Sequence, residues 1–214
     1  MGLQQQLEEQ KKSTINKASP EILQTMAQAT ADLKASGIEN QALGAGDRAP
    51  EFTLPNARGE EIRLTDLLSR GPVVVNIYRG GWCPYCNLEL RALKEKLPKI
   101  EALGASLVAI APEKPDKAAE TSTRHDLEFE VLSDQGNQVS RQFGLVFTLP
   151  ESIRAIYASF GTDLPAYNGD ERFELPLPAT YVIRPDGQIA YAFVDADYTR
   201  RMEPAEIIEV LRAL

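Results

Sequence analysis

Cys83 and Cys86 are the only cysteines in this 214-residue chain, and they stand three apart in the run Arg79-Gly80-Gly81-Trp82-Cys83-Pro84-Tyr85-Cys86. Thiols at this spacing can close a disulfide across one helical turn. Two cysteines cannot staple a secreted fold, and a close pair in a reducing compartment reads as catalytic or metal-binding. Zinc needs two further ligands, and the single histidine, His125, lies far along the chain. Its place mid-helix among Arg124, Asp126 and Glu128 reads as a solvated surface position. No metal and no organic cofactor is implied, so the chemistry these residues fit is thiol redox.

The two thiols are not equivalent. If Cys83 caps a helix that begins at Pro84, its sulfur lies beside free backbone N–H groups at the positive end of the helix dipole. That placement raises the thiolate fraction at neutral pH. Cys83 is therefore the expected attacker and Cys86, one turn on, the resolver. Arg79 would add positive charge, Pro84 would fix the backbone, and Trp82 would shield one side. Gly80 and Gly81 are expected to let the chain approach the sulfur closely. An inert buried pair is disfavoured, because a strand–Gly-Gly–Cys–Pro–helix junction is exposed in most α/β folds.

The elements that must hold this turn can be read on either side of it. Val73–Tyr78 is a continuous apolar run, as for a strand buried on both faces. Leu88, Leu90, Leu93 and Leu97, interleaved with charges, make the following helix amphipathic, with Pro98 near its end. Further strands are expected at 105–111, 129–132, 180–183 and 189–194, with helices at 115–127, 139–143 and 204–214. Ala49–Pro55 reads as a short edge strand bracketed by prolines, with Ile62–Leu64 pairing back as a hairpin. Residues 1–43 read as a helical extension, with Ser19-Pro20-Glu21 as a helix start and Gly37 as a stop. That arm could pack on its own domain or on a partner subunit. Residues 145–177 break the rhythm: a short helix around Ile153–Phe160, then a loop punctuated by Pro165, Gly169 and Pro176, as for an insertion near a site. Tyr157, Tyr167 and Phe173 read as local core there rather than a substrate wall, and residues 195–201 as a solvated cap rather than a pocket lining or a subunit contact. The order specifies an α/β domain over 44–214 with a central mixed sheet flanked by helices.

The formal charge of −8 argues against a nucleic-acid binder. No apolar run approaches the ~18 residues of a membrane span, and the first residues lack signal-peptide character. The expected location is cytoplasmic.

Trp82-Cys83-Pro84-Tyr85-Cys86 after a buried strand resembles the active-site turn of the thioredoxin-fold superfamily, and the tetrad is similar to that of glutaredoxins. Over about residues 44–214 the chain resembles the alkyl hydroperoxide reductase/thiol-specific antioxidant (peroxiredoxin-like) family. Gly46-Asp47-Arg48-Ala49-Pro50-Glu51-Phe52-Thr53-Leu54, Gly71-Pro72-Val73-Val74-Val75, and Thr180-Tyr181-Val182-Ile183 with Asp186-Gly187 carry that resemblance. It implies a thioredoxin-like fold and a thiol-dependent peroxidase that reduces hydrogen peroxide or organic hydroperoxides. Cys83 would become a sulfenic acid and Cys86 would resolve it to a disulfide. Thioredoxin, glutaredoxin or glutathione would recycle it, and a homodimer is possible for such a chain.

The chain also departs from that family's Pro-x-x-x-Thr-x-x-Cys pattern. Aligned on Cys83, the proline and threonine positions hold Asn76 and Gly80. A distant arginine of the family falls at about Pro178, which resembles the cis-proline of thioredoxins. Arg79 is the local substitute for that arginine, with Arg154 or Arg200 as distal ones. The C-x-x-C pair, Gly80 and Pro178 keep open a thioredoxin/glutaredoxin-like disulfide oxidoreductase, and a non-enzymatic redox sensor is a third reading. The candidate site residues are Cys83, Cys86, Arg79, Gly81, Trp82, Pro84 and Pro178.

Overall fold

A computed structural model describes residues 2–214, so the first residue of the expected 1–43 extension, Met1, lies outside the described residues. The chain opens with helices α1 (Leu3–Lys17) and α2 (Pro20–Ala35), followed by a 3₁₀ turn at Ile38–Asn40. Ser19 caps α2 by accepting the Ile22 N–H at 3.4 Å, and Gly37 ends it in the left-handed conformation at φ 73°. This arm packs on its own domain. Leu3 and Leu7 are buried, and the Glu203 carboxylate accepts the Leu3 and Gln4 N–H groups at 3.2 Å each.

A hairpin of β1 (Thr53–Pro55) and β2 (Glu61–Arg63) and a short helix α3 (Leu64–Leu68) lead into β3 (Val73–Ile77). Then follow α4 (Pro84–Ala102), β4 (Ser106–Ala111), α5 (Pro115–His125), β5 (Glu130–Ser133) and α6 (Gln138–Gln142). His125 is thus the last residue of α5 and half-buried, rather than a mid-helix surface residue.

Residues 161–177 are not the expected loop. After β6 (Val146–Thr148) and α7 (Glu151–Ser159), the chain forms α8 (Leu164–Asn168) and β7 (Glu174–Pro176). Asp163 caps α8 by accepting the Ala166 N–H at 3.1 Å, and Pro165 sits in its first turn, where no N–H is needed. Strand β7 pairs antiparallel with β6, so the excursion is an ordered flap. The chain ends with β8 (Ala179–Ile183), β9 (Ile189–Val194) and α9 (Pro204–Arg212).

The central sheet has the order β5-β4-β3-β8-β9, parallel across β5, β4 and β3 and antiparallel from β3 to β8 to β9. Strand β3 is the middle strand and wholly buried, which is why its sequence is apolar on both faces, broken only by Asn76, rather than an alternation. Val74 faces α4 and α9, whereas Val73, Val75 and Ile77 face α3 and α6. The cysteine turn therefore leaves the carboxyl end of the central strand. No helix among the described residues is long and apolar enough to cross a membrane.

Candidate active site

The turn between β3 and α4 is fixed by its peptides before any side chain matters. Gly80 has φ 147°, and a Cβ there would lie 2.3 Å from Trp82 Nε1. A Cβ on Gly81 would lie 2.0 Å from Thr121 Oγ1. The glycine pair is thus demanded by Trp82 and Thr121, not by approach to the sulfur. The Gly81 N–H donates to Glu113 Oε1 at 2.8 Å, and its carbonyl accepts from Asn87 Nδ2 at 2.9 Å and Arg124 Nη1 at 3.3 Å. Cys83 occupies the N-cap of α4 with Pro84 at the first helical position. Proline costs nothing there, and its fixed φ points the next free N–H groups back at the cap.

Contrary to the exposed junction expected from sequence, Cys83 is 1% exposed and Cys86 0%, both as free thiols. The reason lies in the flap and the C-terminal segment, which close over the turn. Cys83 still lines a cavity of about 370 Å³, walled by Arg79, Trp82, Tyr157, Phe160 and Tyr198. That volume suits a small molecule.

Arg79 is itself 2% exposed. Its Nη1 points at Cys83 Sγ from 4.0 Å, and its Nη2 donates to the Tyr157 hydroxyl. The guanidinium lies 5.0, 5.4 and 4.4 Å from the ring centroids of Trp82, Tyr157 and Tyr198. Among the described residues no carboxylate pairs with it, so the aromatic faces and the neighbouring sulfur are what compensate its charge. Burial alone would push the Cys83 thiol up. The Cys86 thiol, the charges of Arg79 and Arg201 and the Cys86 backbone N–H outweigh it, lowering Cys83 from 9.0 to about 5. Burial would likewise discharge Arg79, but Tyr157 and the two cysteines hold it charged.

A second buried arginine serves the second sulfur, and sequence reasoning missed it. Arg201, 2% exposed, places Nη2 3.3 Å from Cys86 Sγ. Its Nε donates to Glu89 Oε2 at 2.6 Å, and its Nη1 donates to the carbonyls of Tyr198 and Arg200. Burial raises Glu89 to about 7 against the pull of Arg201. Burial and the neighbouring Cys83 push the Cys86 thiol well up, with Arg201 and Arg79 opposing. A signal did exist: Glu89 sits three residues after Cys86, on the face of α4 that the sulfur occupies. A carboxylate on a buried face requires a cation.

The remaining candidates fall elsewhere. Segment 195–201 is not a solvated cap, since Tyr198 and Arg201 close the site. Tyr157 is both core and site wall. Neither proposed distal arginine lines the Cys83 cavity. Arg200 pairs with Asp195 at 3.1 Å, and Arg154 donates to the Leu149 carbonyl at 2.8 Å and lies 4.4 Å over the Phe173 ring. Pro178 walls an apolar chamber of about 120 Å³ behind Arg79, with Met26, Leu33, Phe147 and Leu149. The Leu177–Pro178 bond is trans, so the expected cis-proline is not formed. In its place the β6–β7 pairing fixes the approach to β8, with the Leu177 N–H donating to the Leu145 carbonyl at 2.9 Å.

Residues 45–192 match the AhpC/TSA family model. The chain is 34% identical over 103 residues to "Peroxiredoxin Bcp" of Escherichia coli (strain K12), covering 48% of this chain and 65% of that protein, just under two thirds of its length. It is 27% identical over 173 residues to "Putative peroxiredoxin Q, chloroplastic" of Oryza sativa subsp. indica, covering 79% of this chain and 67% of that protein. Among solved structures, peroxidoxin BcpB from Mycobacterium tuberculosis superposes with a TM-score of 0.64 at 24% identity, over 80% of this chain and 98% of that one. A cysteine-to-serine mutant of Xylella fastidiosa PrxQ superposes with a TM-score of 0.62 at 14% identity, over 79% and 95%. These structures show the same fold.

Proposed function

Since the chain belongs to the AhpC/TSA family, we propose that it is a thiol-dependent peroxidase whose attacking residue is Cys83 and whose resolving residue is Cys86. The observation that carries this reading is a buried Arg79 with no carboxylate partner, aimed at a cavity-lining Cys83. The Cys83 thiolate attacks one peroxide oxygen, the O–O bond breaks, and the alkoxide or hydroxide leaves with a proton. Arg79 faces both the thiolate and the oxygen that gains charge, so it stabilises the transition state more than the resting site. It stands in for the distant arginine whose position Pro178 occupies, and Gly80 leaves no threonine hydroxyl beside it. Tyr157 holds the guanidinium fork, and Trp82 and Tyr198 exclude water around it. Gly81 and Pro84 hold the turn, and Pro178 closes the apolar chamber behind Arg79. Cys86 then attacks the Cys83 sulfenic acid, forming the S–S bond and releasing water. Two electrons from thioredoxin, glutaredoxin or glutathione reopen the disulfide, which places the cycle in a reducing compartment such as the cytoplasm.

The C-x-x-C spacing also suits exchange with a protein disulfide. One feature weighs against it: the Leu177–Pro178 bond is trans, where the disulfide-exchanging thioredoxins carry a cis-proline. Peroxide consumption in excess dithiothreitol tests the proposal. The wild type should turn over, and Cys83→Ser should not. Turnover of an insulin-type disulfide with no peroxide consumption would replace this reading with the other.

A further inference from the structure

Cys86 presents a question that the peroxide step does not answer. Its sulfur is fully buried and, unlike Cys83, lines none of the site cavity, yet a charged guanidinium stands 3.3 Å from it. A resting thiol pushed up by burial does not need that cation. A sulfur that departs with an electron pair does.

We propose that Arg201, anchored by Glu89, stabilises Cys86 as the leaving thiolate when the disulfide is reopened, so that the reducing thiol attacks Cys83 and forms its mixed disulfide there. Arg201 is the catalytic residue of this step, because it touches the departing sulfur, and Glu89 is its positioning residue. The inference rests on the thiol cycle above only in requiring a Cys83–Cys86 disulfide.

The step balances. A thiolate enters through the cavity and bonds to Cys83 Sγ, and the Cys83–Cys86 bond breaks. Cys86 leaves with the electron pair against Arg201 and is then protonated. A second thiol attacks the mixed disulfide, releasing the oxidised reductant and the Cys83 thiolate. Leaving thiols depart faster as they are better stabilised. The same contact assists the forward step, in which Cys86 must lose its proton to attack the sulfenic acid.

Geometry separates this role from mere support. Arg201 reaches Cys86 with Nη2 while Nε is held by Glu89 at 2.6 Å and Nη1 by two carbonyls. The guanidinium is thereby locked in one rotamer before the sulfur acquires charge, and no reorganisation is needed. Glu89 and Arg201 act on Cys86 with opposite signs, which gives the test its discrimination.

Purified protein is oxidised with diamide, mixed with dithiothreitol in a stopped flow, and followed by the fluorescence of the single tryptophan, Trp82, as a function of pH. Arg201→Met should slow disulfide opening at least about tenfold, with Arg201→Lys recovering part of the rate. Glu89→Gln keeps an amide oxygen to accept from Arg201 Nε, so the guanidinium stays placed while Cys86 becomes its nearest anion, and opening should speed up. The attacking thiol is the same throughout, so its own titration cancels between variants. Glutathione disulfide should form a stable mixed disulfide with Cys86→Ser and not with Cys83→Ser. The proposal is overturned if Arg201→Met and Glu89→Gln change the rate in the same direction, or if Arg201→Met leaves it unchanged. It is equally overturned if glutathione is captured by Cys86 instead, or if diamide fails to join the pair. Because diamide makes the disulfide, a failure of peroxide turnover would leave this result standing.

Discussion

Replacing Arg79 with methionine should move the titration of Cys83 by units rather than tenths. The nearest nitrogen is 4.0 Å from the sulfur, and both groups are buried beyond the reach of solvent screening. At that distance an effective permittivity of about 20 gives roughly 4 kcal/mol. This corresponds to about 3 pH units, at ~1.36 kcal/mol for each. Cys83, lowered to about 5 in the native site, should therefore titrate well above its parent in Arg79→Met, the two compared in the same background. Methionine preserves most of the packing between Trp82, Tyr157 and Tyr198, so the charge is what is lost. The assay is the pH profile of alkylation by iodoacetamide in a Cys86→Ser background. The midpoint is the readout, because intrinsic nucleophilicity rises with pKa and offsets the falling thiolate fraction at any single pH. Lysine in place of Arg79 should give an intermediate midpoint, since an ammonium lacks the planar fork shared by Tyr157 and the sulfur. A midpoint within about half a unit of the parent would refute the assignment of Arg79 as the principal counterion.

Other consequences are as specific. Gly80→Thr, which supplies the residue of the family pattern, should not raise peroxide reactivity: its Cβ would lie 2.3 Å from Trp82 Nε1 at φ 147°. It should instead destabilise the fold by about 2 kcal/mol or more in urea unfolding, as strained backbone does. The folded state depresses the Cys83 thiol from 9.0 to about 5, so its contribution to stability is complete above 9.0 and lost as pH falls through about 5. The stability difference between wild type and Cys83→Ser should accordingly grow as pH rises from about 5 to about 9; a flat difference in denaturant titrations would contradict a buried thiolate. Leu7→Ala, in a helix that lies before the family match, should cost about 2–4 kcal/mol, because that side chain is core rather than decoration. Unchanged thermal unfolding would show α1 to be a detachable arm.

The cysteine turn and its sheet were legible because local rules act there without competition. A β-branched run, a glycine pair and proline at the first helical position leave few alternatives to a strand–turn–helix. The charge beside Cys83 was legible as Arg79, within the turn itself; the charge beside Cys86 was not. Arg201 lies 115 residues from Cys86 in sequence, and nothing in Asp195-Ala196-Asp197-Tyr198-Thr199-Arg200-Arg201 says which arginine turns inward. The side chain that does so is the one with a buried carboxylate to meet, Glu89, which in the sequence is one more charge interleaved along an amphipathic helix. The same holds for Tyr157, whose hydroxyl finds Arg79 only because β6 and β7 pair and fold the flap over the turn. Residues 161–177 read as a loop in the sequence because Pro165 and Gly169 look like loop punctuation. In the structure they are the start and the stop of a five-residue helix. Pro178 was interpreted through a resemblance, whereas the strand pairing that ends at Pro176 sets its backbone.

The central claim, that Cys83 is a peroxide-reducing thiolate resolved by Cys86, is tested most directly by mixing reduced protein with hydrogen peroxide and recording Trp82 fluorescence. The account predicts a first phase whose rate rises linearly with peroxide and a second, peroxide-independent phase that is lost in Cys86→Ser, where a dimedone-reactive sulfenic acid accumulates on Cys83. A first phase independent of peroxide concentration, or a Cys83 that remains a free thiol in Cys86→Ser, would contradict it.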